Sequence, residues 1–213
     1  MPIVYNKNID DQTILAVWKI QESEAELTAG LQLKQHEVDF LSSLNNGKRL
    51  LHWLSTRLLL RTMLNTNDYI DCRMDEHGKP YLKNMDYEIS LSHSFDYAAV
   101  MISKDKKVGV DIELMKEKIQ LIKHKFLSVD ELKQDNLDFS VKGLYVCWCV
   151  KEAIYKWNGR RGLELKKDMF VKAFSLEEAG EVEAIVSLPD GPQGLTASYF
   201  QTSDGYMLAY VMA

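Results

Sequence analysis

The sequence predicts an α+β fold, and two observations predict it. Stretches 49–64 and 142–158 carry helical apolar spacing, whereas the other apolar runs are short, rich in β-branched residues and bounded by turn residues. Each half of the chain holds one such helix and several such strands.

In order, "TILAVWKI" (Thr13–Ile20) has strand composition. Ser23 with Glu26 then forms a capping-box pattern for a short helix, and a second helical stretch covers His36–Leu44. In "RLLHWLSTRLLLRTML" (Arg49–Leu64), Leu50, Leu54 and Leu58 mark the apolar stripe, while Arg49, Trp53, Arg57 and Arg61 drift along one flank. "DEHGKPYL" reads as a turn between strands, since Gly78 tolerates positive φ and Pro80 cannot start a helix there. "DYEISLSHS" and "DYAAVMIS" are two strands joined by a tight turn at Phe95 and Asp96. Lys104–Lys107, "KDKK", is the expected connection between an N-terminal lobe, 1–104, and a C-terminal lobe, 105–213. Next come the strand "VGVDIEL", a second capping-box pattern at Ser128 and Glu131, and the central helix 142–158, ended by Gly159 and Gly162. "MFVKAF", "EVEAIVSL", "LTASYFQT" and "GYMLAYVM" complete the strands, with "PDGPQG" and "SDG" as turns. No residue-level repeat connects the halves.

Composition narrows the function classes. With 46% hydrophobic and 27% charged residues among 213, the chain has the makeup of a globular protein. It holds no apolar run near the ~18 residues of a membrane span, and "MPIVYNKNIDDQ" lacks a signal-peptide pattern, so a cytoplasmic protein is expected. Cys72, Cys147 and Cys149 fit free thiols, and the C-x-C pair is read as core. A net charge of −5 without a basic stripe argues against nucleic-acid binding, so any polyanionic ligand must meet local cations.

The chemistry gathers in two blocks. Within "VGVDIELM", Asp111 and Glu113 share one strand face while Val110 and Ile112 point the other way into a core. Two carboxylates so placed repel unless a cation joins them, and Mg²⁺ prefers such hard oxygen ligands together with a phosphate. In "WCVKEAIYK", Trp148, Glu152 and Lys156 recur every four residues on a helix otherwise rich in apolar residues, where charges need partners. A solvent-facing strand edge and an ordinary surface pair are the plainer readings of these two patterns. Ser92, His93 and Ser94 at a strand end offer hydroxyl, imidazole and backbone N–H groups to phosphate oxygens, and Lys79 and Arg57 are candidate cations.

Taken together, "VGVDIE" and "WCVKEAIYK" resemble the surfactin-synthetase-activating type of 4′-phosphopantetheinyl transferase, within the holo-acyl-carrier-protein synthase superfamily. That family's signature joins V/I-G-V/I-D-x-E to W/F-S/C/T-x-K-E-A/S-x-x-K. "GKPYL", "SLSHS" and "KFLSVDEL" fall in family order, and the likeness covers roughly residues 49–174. The resemblance implies two similar lobes related by a pseudo-twofold axis, each a long helix on a small, mostly antiparallel sheet, with coenzyme A in the cleft and a monomer sufficient. It implies transfer of the phosphopantetheine arm from coenzyme A to a serine of an apo acyl or peptidyl carrier protein, releasing adenosine 3′,5′-bisphosphate. Asp111, Glu113 and Glu152 would bind Mg²⁺, with Glu152 also a candidate acceptor of the serine proton. Lys156, supported by Lys151, would steady the diphosphate. Ser92 and His93 would contact the coenzyme A phosphates, Lys79 and Pro80 would flank the adenine, and Arg57 would meet the 3′-phosphate. The segment 112–147 is slightly shorter than is usual in the family, at the place where its members contact the carrier. A Mg²⁺-dependent hydrolase of a diphosphate and a non-catalytic carrier-binding module are the alternatives.

Overall fold

The computed structural model describes residues 3–44 and 47–213. Met1 and Pro2, part of the N-terminal stretch discussed above, and Asn45 and Asn46 lie outside them. The first elements are β1 (Ile3–Asn8), β2 (Thr13–Lys19), α1 (Glu24–Ala29), α2 (Gln35–Ser43), α3 (Lys48–Leu64), β3 (Cys72–Met74), β4 (Pro80–Leu82), β5 (Glu88–Ser94) and β6 (Tyr97–Ser103). There follow β7 (Val108–Leu114), α4 (Ile119–Phe126), α5 (Val141–Asn158), β8 (Met169–Val171), β9 (Ala179–Leu188), β10 (Gly191–Gln201) and β11 (Tyr206–Met212). The strands form a four-stranded sheet of order β1-β2-β6-β5, a five-stranded sheet of order β7-β11-β10-β9-β8 and the small β3-β4 hairpin. Every pairing is antiparallel, so the fold is α+β.

Side-chain alternation sets the layering. Ala98, Val100 and Ile102 of β6 pack with Leu59 and Leu60 of α3. The other face of β6, with Tyr97, Ala99 and Met101, meets Val108, Val110 and Ile112 of β7 and Tyr206, Leu208 and Tyr210 of β11. Met207, Ala209 and Val211, on the reverse of β11, pack against Val146 and Val150 of α5. The order is therefore α3, sheet, sheet, α5. Because both of its faces are covered, β6 is buried along its whole length.

Two details position the site. At Gly109 the backbones of β7 and α5 nearly touch: a Cβ there would stand 2.0 Å from the Ala153 carbonyl oxygen and 2.7 Å from the Trp157 nitrogen. Only glycine allows that approach. In addition, β5 and β7 are end strands of their sheets and lie side by side, bridged by hydroxyls. Val110, Ile112 and Leu114 of β7 donate their N–H groups to the Oγ atoms of Ser90 (2.9 Å), Ser92 (3.2 Å) and Ser94 (3.2 Å). Sheet-edge donors that would otherwise be buried without partners are thus satisfied.

Two elements lie outside the sequence expectations. β1 has only its first three residues apolar, with Val4 exposed, and α4 carries Lys123, His124 and Lys125 in its last turn. Ser128 and Glu131 do bond reciprocally, with Ser128 N–H to Glu131 Oε2 at 2.7 Å and Glu131 N–H to Ser128 Oγ at 3.1 Å, but they open only a single 3₁₀ turn, Glu131–Lys133. The Glu131 carboxylate is drawn inward to a buried lysine instead of completing a helix start. Among the described residues, no helix is long and apolar enough to cross a membrane.

Candidate active site

β7 and α5 run antiparallel across their shared face. Gly109 faces Ala153 and Trp157, and Asp111 meets Lys156. Trp148, Glu152 and Lys156 fall on one stripe of α5 by their four-residue spacing. Lys156 Nζ lies 2.7 Å from Asp111 Oδ1, and the Ser92 hydroxyl donates to the same oxygen at 2.9 Å. Asp111 is 4% exposed, and its other oxygen, Oδ2, is buried with no partner among the described residues. Leaving a buried carboxylate oxygen unpaired is costly. Glu113 Oε2 accepts a 2.7 Å hydrogen bond from the Ser94 hydroxyl.

The acids feel one another. Burial and then the Asp111 charge push the Glu152 carboxyl up to about 7; Lys156 opposes the rise and Glu113 adds to it. Burial and Asp111 also raise Glu113 above the usual carboxylate range, while Ser94, Lys156 and Trp148 pull it back. A cation among three such oxygen donors would relieve that repulsion and partner the orphaned Oδ2, so the donor chemistry fits Mg²⁺. The fit is one of charge and donor type: among the described residues, no three His, Cys, Asp or Glu side chains are gathered to ligating geometry, and Lys156 already neutralises part of Asp111.

Beside this junction a cavity of about 70 Å³ is lined by Lys79, Pro80, Ser90, Tyr155, Lys156 and Arg160, among others. Lys79 is placed by the turn before it, in which Asp75 Oδ1 accepts the N–H groups of His77 (2.9 Å) and Lys79 (2.8 Å). The Lys79 ammonium reaches Glu88 Oε2 at 3.2 Å and the Trp157 carbonyl at 3.4 Å. His93 points to the opposite face of β5 from the serines and stacks on His52 of α3, ring centroids 4.2 Å apart. Although His93 is exposed over much of its surface, desolvation in this crowded corner, then His52 and Lys156, pulls its imidazole down to about 4.

Three expected ligand residues are placed differently. Lys151 does not face the site. It is fully buried, and its ammonium donates to Glu131 Oε2 (2.7 Å) and to the carbonyls of Phe126 (2.7 Å), Leu165 (2.9 Å) and Met169 (2.9 Å). Three N–H groups facing four acceptors leave nothing for a phosphate. One residue along a helix turns 100°, which is why adjacent Lys151 and Glu152 serve different sides. Arg57 is 8% exposed, its guanidinium 4.8 Å from the Trp53 ring centroid, and it lines a separate small cavity with Glu37 and Tyr69. That cavity lies between α2 and α3, apart from the one lined by Lys79, and Arg57 Nε is buried in it with no partner among the described residues. The Ser92 hydroxyl, finally, is already committed to Asp111 and the Ile112 N–H. Sequence reasoning named Glu131 only as a capping residue and Ser94 only as a phosphate contact, and missed that they hold Lys151 and Glu113. The S-x-S-x-S spacing of Ser90, Ser92 and Ser94 was the signal for the latter.

The fold and site define an α+β protein with an acidic strand–helix junction flanked by lysines. Residues 107–211 match the family model of the 4′-phosphopantetheinyl transferase superfamily. Over 144 residues it is 31% identical to a 4′-phosphopantetheinyl transferase of Bacillus subtilis, a match covering 66% of this chain and 62% of that protein. Over 123 residues it is 30% identical to a Haemophilus influenzae protein whose name assigns it provisionally to the same activity, covering 53% of this chain and 50% of that one. The chain thus spans between half and two thirds of the length of these relatives.

Proposed function

We propose that this protein transfers the 4′-phosphopantetheine arm of coenzyme A to a serine hydroxyl of an apo acyl or peptidyl carrier protein, in a Mg²⁺-dependent reaction that releases adenosine 3′,5′-bisphosphate. The observation that carries this reading is the meeting of Asp111 and Lys156 at 2.7 Å beside Glu113 and Glu152, whose carboxyls are both raised by burial and by Asp111. The superfamily match over the same segment and the two named relatives support it.

In this reading Asp111, Glu113 and Glu152 hold Mg²⁺, which when bound offsets negative charge on the diphosphate oxygens. Lys156, on the stripe shared with Glu152, steadies the diphosphate from the other side. Lys79 and Pro80 border the cavity that receives the adenosine end. His93, held neutral at physiological pH, donates or accepts a hydrogen bond at the phosphates without adding charge. Glu152 is the nearest candidate to take the proton of the attacking serine, directly or through water. Lobes 1–104 and 105–213, related by a pseudo-twofold axis with coenzyme A between them, complete the proposal, and the protein works as a cytoplasmic monomer.

Mass spectrometry tests it. Protein incubated with coenzyme A, Mg²⁺ and an apo-carrier should add one phosphopantetheine mass to the carrier, and Glu152→Gln should abolish the addition while the fold stays intact. No shift on fatty-acid or peptide-synthetase carriers refutes the proposal. Release of pantetheine phosphate without a carrier would favour the hydrolase.

A further inference from the structure

The three serines of β5 form a comb against β7, and two of its teeth have a second partner. Ser90, Ser92 and Ser94 are buried at 2%, 5% and 6% exposure, and each accepts one N–H of β7. Ser92 also donates to Asp111 at 2.9 Å and Ser94 to Glu113 at 2.7 Å. A serine hydroxyl has one proton and accepting lone pairs, so each of these teeth ties β7 twice, once by its backbone and once by a carboxylate. Ser90 lies opposite the glycine end of "VGVDIE", where Gly109 has no side chain to aim. The comb thus separates two effects in one motif: all three teeth join the sheets, and two orient acids.

We infer that Ser94 and Ser92 are positioning residues for Glu113 and Asp111. By donating from the β5 side, they turn those carboxylates along the β7–α5 junction and leave the remaining oxygens for a divalent cation. This deepens the function proposed above and rests on its metal assignment. Outer-shell partners of ligating carboxylates fix ligand orientation, and losing one typically costs about tenfold or more in metal affinity. Since the donors come from one sheet and the carboxylates from the other, the geometry of the acids also depends on how the two sheets meet.

The test compares Ser94→Ala with Ser90→Ala by titrating Mn²⁺ alone into the whole chain, followed by calorimetry or electron paramagnetic resonance, with unfolding midpoints measured in parallel. Ser90→Ala loses one hydrogen bond to β7 and Ser94→Ala two, so both should lower the midpoint, Ser94→Ala the more. Only Ser94→Ala should weaken Mn²⁺ binding, by about tenfold, and Ser94→Thr, which keeps the hydroxyl, should restore it. Equal Mn²⁺ affinity in Ser90→Ala and Ser94→Ala overturns the inference while leaving the metal assignment standing. Wild-type protein that binds no Mn²⁺ overturns the metal assignment itself. Should Ser94→Ala fail to fold, Ser92→Ala carries the comparison with Ser90→Ala: weaker Mn²⁺ binding in Ser92→Ala alone is expected, and equal affinity in the two overturns the inference.

Discussion

Replacing Lys151 with methionine separates a structural lysine from a phosphate-binding one. Methionine keeps much of the apolar stem and removes the ammonium that holds Glu131 Oε2 and the carbonyls of Phe126, Leu165 and Met169. Lys151 and Glu131 are both 0% exposed, so the substitution strands a buried carboxylate. Breaking such a pair costs about 3–5 kcal/mol. Glu131 keeps the N–H groups of Ser128 (2.7 Å) and Val171 (2.8 Å), which places the expected loss near the lower end, about 3 kcal/mol. Of a typical ~5–15 kcal/mol total, that is a large fraction. Urea unfolding followed by tryptophan fluorescence reads it, and coenzyme A affinity measured by calorimetry on the folded variant should stay within twofold of wild type. Adding Glu131→Gln should recover part of the loss, because the stranded charge is gone. The reasoning fails if Lys151→Met loses under about 1 kcal/mol while coenzyme A binding drops sharply, since the ammonium would then serve the ligand.

Three other perturbations follow from the same geometry. Gly109→Ala places a Cβ 2.0 Å from the Ala153 carbonyl, which forces α5 away from β7; a loss of about 3 kcal/mol should lower the thermal midpoint by about 6–12 °C, and an unchanged midpoint would show that the backbones can part freely. Arg57→Met should cost about 1–2 kcal/mol by loosening the Trp53 corner and leave KM for coenzyme A within twofold; a tenfold KM rise at unchanged stability would return Arg57 to the 3′-phosphate. His93 takes up a proton near 6.5 when unfolded but only near about 4 in the fold, so the neutral ring's contribution is complete above pH 6.5 and is lost as pH falls toward 4. Discounted for its exposure, the loss is about 1 kcal/mol. Stability curves of wild type and His93→Gln should diverge across that window, and parallel curves would contradict the assignment.

Much of this architecture can be read from period and punctuation. The long helices α3 and α5, the hairpin of β5 and β6, and β7 all announce themselves through apolar spacing and through Gly159 or Phe95 at positive φ. β1 and α4 are fainter, because one is an edge strand with two partly buried apolar residues and the other a helix of two turns whose Ile119, Ile122 and Phe126 give too short a stripe to stand out. Among the acids, alternation along β7 puts Asp111 and Glu113 on one face, and that face is the one turned toward α5. What motif reading blurred was direction. "KEA" places Lys151 and Glu152 side by side in sequence, yet the helical turn sends one into the core toward Glu131 and leaves the other at the junction. "SHS" likewise reads as one phosphate-facing cluster, whereas strand alternation splits it: serines toward β7, histidine toward His52. Partners far apart in the chain, such as Glu131 for Lys151, have no local signature.

The most direct test of the central claim is anomalous diffraction from crystals soaked with coenzyme A and Mn²⁺. A single peak within about 2.3 Å of carboxylate oxygens of Asp111, Glu113 and Glu152, touching the diphosphate, is the result predicted. A well-ordered coenzyme A with no peak among these three side chains, or with its diphosphate held elsewhere, would contradict it.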